Sequence, residues 1–82
     1  MNNIKEFNKL EFDEKSKVVW LDSTFIITKI DDQIKKNLYY YNGYYIELFY
    51  NMNKMQIEKI EASDKKNVID EYLEEIELNE IN

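Results

Sequence analysis

Apolar and polar residues are patterned most clearly around one Asn-Gly dipeptide. Leu38 to Tyr41 leads into Asn42-Gly43, and Tyr44 to Tyr50 leads out of it. Asn-Gly between two such runs is a strong hairpin signal, because a type I′ turn needs positive φ at both central residues. Gly adopts that φ freely, and Asn does so more readily than most residues. A two-residue turn pairs Tyr41 with Tyr44, Tyr39 with Ile46 and Asn37 with Leu48. One face then carries Tyr39, Tyr41, Tyr44, Ile46, Leu48 and Tyr50, and it reads as the core side. The other carries Lys36, Leu38, Tyr40, Tyr45, Glu47 and Phe49, a mixed aromatic face. A three-residue turn with a bulge at Gly43 would pair Tyr40 with Tyr44 and turn one strand over. The two-residue turn is the preferred reading.

The flanking segments extend this hairpin into a sheet. Thr24 to Ile30 is rich in β-branched residues and reads as a first strand, closed by a turn at Asp31-Asp32. Gln33 to Tyr41 and Tyr44 to Tyr50 are the second and third strands. Asn51 to Lys54 is a loop of hairpin length, and Met55 to Glu61 is the fourth strand. Its inward candidates Ile57 and Ile60 are three apart, which breaks the two-residue period and predicts a bulge. Residues 13–21 read as a short helix with Asp13 as its N-cap, with a strand as the rival because Val18-Val19-Trp20 is β-prone.

Residues 1–12 read as a loosely held N-terminal arm, with a turn of helix where Ile4, Phe7, Leu10 and Phe12 pack. At the other end, Ser63 or Asp64 is the expected cap of a last helix. Ile69, Tyr72, Leu73 and Ile76 form its apolar stripe, with Val68 beside it. Residues 77–82 form an acidic tail whose Leu78 and Ile81 run along the surface. The whole chain reads as a single small α+β domain over residues 1–82. Its fold is a four-stranded antiparallel meander sheet with a short N-terminal helix and a C-terminal helix packed on one face. Phe25, Tyr39, Ile46, Leu48, Ile57, Leu73 and Ile76 are expected to share its core.

Composition narrows what such a domain can do. The chain has 82 residues, no Cys and no His. Disulfides, thiolate chemistry, Cys-based zinc sites and the usual near-neutral base are therefore excluded. With those staples gone, self-association is the one open to a domain this small. The sequence shows no signal peptide and no apolar run of membrane-spanning length, so a cytoplasmic location is expected. Residues 1–66 hold 11 Lys and 11 acidic residues, whereas residues 67–82 hold six acidic residues and no Lys. The net charge of −6 thus falls entirely in the last segment. Phosphate backbones and anionic lipid would repel it, and the absence of Arg removes the fork used on phosphate and guanine.

Trp20, Thr24-Phe25, Leu38-Tyr39, Tyr44-Tyr45-Ile46-Glu47, Ile57, Ile60 and Tyr72-Leu73 resemble the spine of a group of short, uncharacterised bacterial proteins. That resemblance covers most of the chain, implies one compact α+β domain, and implies no activity.

Three chemical readings can be weighed. Ser16, Ser23, Ser63, Thr24 and Thr28 lack an imidazole base, so nucleophilic catalysis is disfavoured and an enzyme is a distant third possibility. Glu47, set among Tyr40, Tyr45 and Phe49, is the best acid–base candidate, against the plainer reading that it pairs with Lys36 or lies exposed. Asp70, Glu71, Glu74 and Glu75 share one helix side, yet no calcium-loop spacing is present, so no metal or cofactor is expected. Like charges at i,i+4 destabilise a helix, which gives this strip a functional reading as a surface for a basic protein partner. Tyr40, Tyr45, Glu47 and Phe49 are the second candidate surface, suited to a protein or to a second copy rather than to nucleic acid. The first expectation is thus a non-catalytic binding protein, similar in type to phage-encoded inhibitors such as anti-CRISPR proteins, that engages a basic nucleic-acid-handling protein. The alternative is a structural or regulatory homodimer whose aromatic sheet face is its self-interface.

Overall fold

Asn42 and Gly43 have φ of 51° and 88°, so both central residues of the turn are left-handed, as type I′ requires. A Cβ added at Gly43 would meet nothing within 4 Å, so backbone conformation and not space makes the position glycine's. Tyr41 faces Tyr44, Tyr39 faces Ile46 and Asn37 faces Leu48, which is the two-residue register.

The computed structural model describes residues 3–64 and 67–73. In chain order these form α1 (Ile4–Asn8), α2 (Phe12–Lys17) with a π-helical turn at Val18–Asp22, and β1 (Thr24–Asp31). Then come β2 (Ile34–Tyr41), β3 (Tyr44–Asn51), β4 (Gln56–Ser63) and a helical segment at 68–73, here α3. The strands make one antiparallel sheet in the order β1-β2-β3-β4, giving the α+β meander expected from the sequence.

Residues 13–21 are helical, not extended. The cap lies earlier than Asp13: α2 begins after Glu11, whose N–H is accepted by Glu14 Oε1 at 3.4 Å. The bulge read from Ile57 and Ile60 is present, with Phe49 opposite Lys59, Tyr50 opposite Ile57 and Glu58 left over. A second bulge, unmarked in the sequence, leaves Ile26 extra between Phe25 and Ile27.

Alternation then sends the side chains of the sheet two ways. On the first face, Tyr39, Tyr44, Ile46, Leu48, Ile60 and Ala62 pack with Phe7 and Val19 from the N-terminal helices. On the second, Leu38 packs with Val68 and Tyr72 from α3, flanked by Ile26, Ile27, Tyr45 and Ile69. The C-terminal helix therefore does not share a core with Ile46 and Leu48. Parity along β3 places Tyr45 and Glu47 beneath it instead. Two further core expectations need correction. Phe25 is exposed, and Leu73 is 38% exposed because Val68, Ile69 and Tyr72 take the inner side of α3. Ile76, the tail at 77–82 and residues 1–2 lie outside the described residues.

A five-residue helix has little stability alone. Here α1 is held by a capping box, in which Asn3 Oδ1 accepts the Glu6 N–H and Glu6 Oε1 accepts the Asn3 N–H, at 2.8 and 3.0 Å. Fully buried Phe7, edge-on to Tyr44, ties it to the sheet. The turn of helix expected within residues 1–12 is thus anchored. At α3, the cap is neither Ser63, which ends β4, nor Asp64. Asn67 precedes the helix, and its carbonyl accepts the Asp70 N–H at 3.0 Å.

Phe7→Ala should lower stability by about 3–5 kcal/mol, whereas Leu73→Ala should cost no more than about 1 kcal/mol. Urea midpoints of the two variants against the parent decide this. A larger loss for Leu73→Ala would place that residue in the core after all.

Candidate functional site

The second face of the sheet is where the expected partner-binding residues gather, and α3 already occupies its centre. Glu47 lies on β3 between Tyr45 and Phe49, so alternation points its carboxylate at α3. It is only 5% exposed, and Glu47 Oε2 accepts a hydrogen bond from the Tyr72 hydroxyl at 2.9 Å. The expected pairing with Lys36 is not made. Across the sheet Glu47 faces Leu38 and Glu61, while Lys36 faces Phe49. Lys36 Nζ stands 6.0 Å from the Phe49 ring and 5.8 Å from that of Tyr72, with Lys59 Nζ 4.7 Å from Phe49. Two ammonium groups thus lie over the Phe49 ring, and that of Lys59 also pairs with Glu61 Oε1 at 3.4 Å.

Burial is the main reason that the Tyr72 hydroxyl is pushed well above the usual tyrosine range. The Glu47 charge, its hydrogen bond and the Glu71 charge act in the same direction. Tyr44, on the other face, is pushed up to about 12 by burial first, then by Tyr41 and Glu6.

The described members of the two expected surfaces lie on α3 and on the second face of the sheet. Tyr40 is exposed at the margin, its ring edge-on to Tyr45 at 5.6 Å. Tyr45 is half-buried against α3, and Phe49 is half-buried beneath its two lysines. Asp70 and Glu71 are exposed on α3, where the Glu71 backbone carbonyl accepts Lys29 Nζ at 3.1 Å. Glu74 and Glu75 lie outside the described residues. Among the described residues no three carboxylates converge to hold a metal ion, and no helix is long and apolar enough to cross a membrane. Three candidate hydroxyls are engaged as donors: Ser16 to the Phe12 carbonyl, Ser23 to the Val19 carbonyl and Thr28 to Asn37 Oδ1.

A further surface was not anticipated. Trp20, Leu21 and Phe25 are exposed together, with Trp20 and Phe25 both edge-on to Tyr39 at 6.4 and 5.7 Å. Beside Trp20 a shallow groove opens over Asn37, Leu48, Tyr50, Ile57 and Lys35 on the first face. A size mismatch gives the signal for it. Eight-residue strands span about 27 Å, whereas the helical run of residues 12–22 rises about 16 Å and leaves part of the face open.

Removing the Tyr72 hydroxyl leaves a buried carboxylate short of a donor, so Tyr72→Phe should cost about 1–3 kcal/mol near neutral pH. The alkaline limb follows from the raised pKa values. A tyrosine whose folded pKa exceeds its unfolded value contributes fully below about pH 10 and loses that contribution as pH rises toward the folded value. For Tyr44 the loss runs from pH 10 to about 12. Thermal melts should therefore fall above pH 10, and Tyr72→Phe should flatten that fall in part. An unchanged alkaline slope in the variant would count against the Tyr72–Glu47 contact.

Comparison with protein-family models, with curated proteins and with solved structures returns no match for this chain.

Proposed function

We propose that this chain is a non-catalytic protein-binding module, acting as a small inhibitor of a basic, nucleic-acid-handling protein through the outer side of α3. The posture of that helix carries the reading. Val68 and Tyr72 are fully buried, while Asp70 and Glu71 on the same turns are exposed. A docked helix presents its charges in a fixed frame, which reduces the ordering cost of association. In sequence the strip continues through Glu74 and Glu75, within the segment that holds the whole net charge of −6. On a helix of the length that the sequence pattern predicts, like charges at Asp70 and Glu74, and at Glu71 and Glu75, would cost about 0.2–0.5 kcal/mol per pair, so stability alone does not favour them. The rival self-interface on the mixed aromatic face is less well supported, because α3 already packs on Leu38 and Tyr45 and covers Glu47.

Affinity capture from cells encoding the chain, followed by binding kinetics on the captured protein, tests this. The variant Glu71→Gln, Glu74→Gln, Glu75→Gln should melt no lower than the parent. Its association with the basic partner should be slower and lose most of its salt dependence. Unchanged affinity at low salt would defeat the proposal and move attention to Trp20 and Phe25.

A further inference from the structure

The two edges of the sheet differ in kind. Along β4 the Asn8 side chain closes the edge: its Nδ2 donates to the Ala62 carbonyl at 3.1 Å, and its Oδ1 accepts the Ala62 N–H at 2.7 Å. One amide thus takes both outward backbone groups at the point where another strand would bind. The Glu58 bulge disrupts the same edge further. At β1, among the described residues, no backbone hydrogen bond arrives from the outer side. In a two-residue hairpin the pair beside the turn, here Asp31 with Ile34, exchanges its backbone bonds. Alternation then turns the N–H and C=O groups of Ile30 and Thr28 outward.

We propose that β1 pairs antiparallel with β1 of a second copy of this chain, joining two four-stranded sheets edge to edge. The strand is self-complementary about a two-fold axis at Thr28. Lys29 then faces Ile27 of the second copy and, past the extra residue Ile26, Ile30 faces Phe25. Phe25 and Ile30 share the first face, since they pair with Tyr39 and Lys35 of β2. They are 53% and 51% exposed, and each would cover the other across the axis. Trp20, 60% exposed and edge-on to Tyr39, widens the same apolar strip. Lys29 does not guard that face, because it points to the α3 side, where its Nζ donates to the Glu71 carbonyl. A copy of β1 thus supplies both a backbone ladder and matched cross-strand pairs. Each copy carries a net charge of −6, so pairing tightens as salt screens the repulsion between copies.

Sedimentation equilibrium from micromolar to millimolar chain, at low and high salt, tests the proposal. The parent should shift from monomer to dimer mass with concentration, and more readily at high salt. Ile30→Lys changes an exposed residue and should leave the monomer's melt intact while weakening the dimer on the order of tenfold or more. Thr28→Pro removes an outward N–H at an edge position that tolerates Pro, and should weaken it similarly. Should Thr28→Pro fail to fold, Ile30→Lys decides alone. Amide exchange at Thr28 and Ile30 that slows as concentration rises would locate the contact. A monomer mass throughout, or a dimer that Ile30→Lys leaves as tight as the parent, overturns the proposal.

Discussion

The type I′ turn at Asn42-Gly43 sets the parity on which the rest of the molecule depends. With Tyr41 opposite Tyr44, Ile46 and Leu48 point one way from β3 while Tyr45 and Glu47 point the other. A one-residue slip would turn one strand of the hairpin over and bring polar Asn37 or Glu47 to the wrong side. Positive φ at both turn residues excludes most sequences from this position, so a local backbone requirement fixes a global arrangement. Each face then receives its own cover: the N-terminal helices on one side and α3 on the other.

The two covers are held differently. Phe7 and Val19 enter an apolar layer, where burial is the main stabilising term. Beneath α3 the layer is apolar around Leu38, Val68 and Tyr72, but it also takes in the carboxylate of Glu47. A charge in that position is tolerable only with a donor, and the Tyr72 hydroxyl at 2.9 Å is one. The contact gives α3 a defined seat, since a shifted helix would leave the carboxylate without that hydroxyl. Lys36, close to the rings of both Phe49 and Tyr72, adds a positive charge to the same neighbourhood. The acidic outer side of α3 is therefore presented from a specific mount rather than from a loosely greased one.

The surface shows a matching asymmetry. One sheet edge is closed by the Asn8 amide, and the other carries exposed Phe25 and Ile30 beside Trp20. The proposed partner surface on the outer side of α3 and the proposed apolar strip of Phe25 and Ile30 lie toward opposite faces of the sheet, although Lys29 of β1 reaches the Glu71 carbonyl of α3. Two copies joined along β1 would carry two acidic helices and bind a repeated basic surface more tightly than one copy could.

Much of this was legible in the residues. The hairpin, its register, the four strands, the bulge at β4 and the helix at 13–21 all follow from local rules: φ at Asn-Gly, β-branched runs and a broken two-residue period. The mixed character of the face bearing Glu47 was legible too, because alternation is a property of the strand itself. Which helix covers which face was not. Val68, Ile69, Tyr72 and Leu73 form an apolar stripe in sequence, but Ile46 and Leu48 on one side or Leu38 and Tyr45 on the other could equally receive it. Only the tertiary structure decides that Tyr72 seats on Glu47 and that Leu73 turns outward, because the choice depends on contacts between residues 25 apart in the chain. The same holds for the edges: Asn8 reads as an ordinary helix residue until folding brings it against Ala62, 54 positions away. Local conformation is written in neighbouring residues. Cover and edge protection arise from long-range packing, which no local pattern specifies.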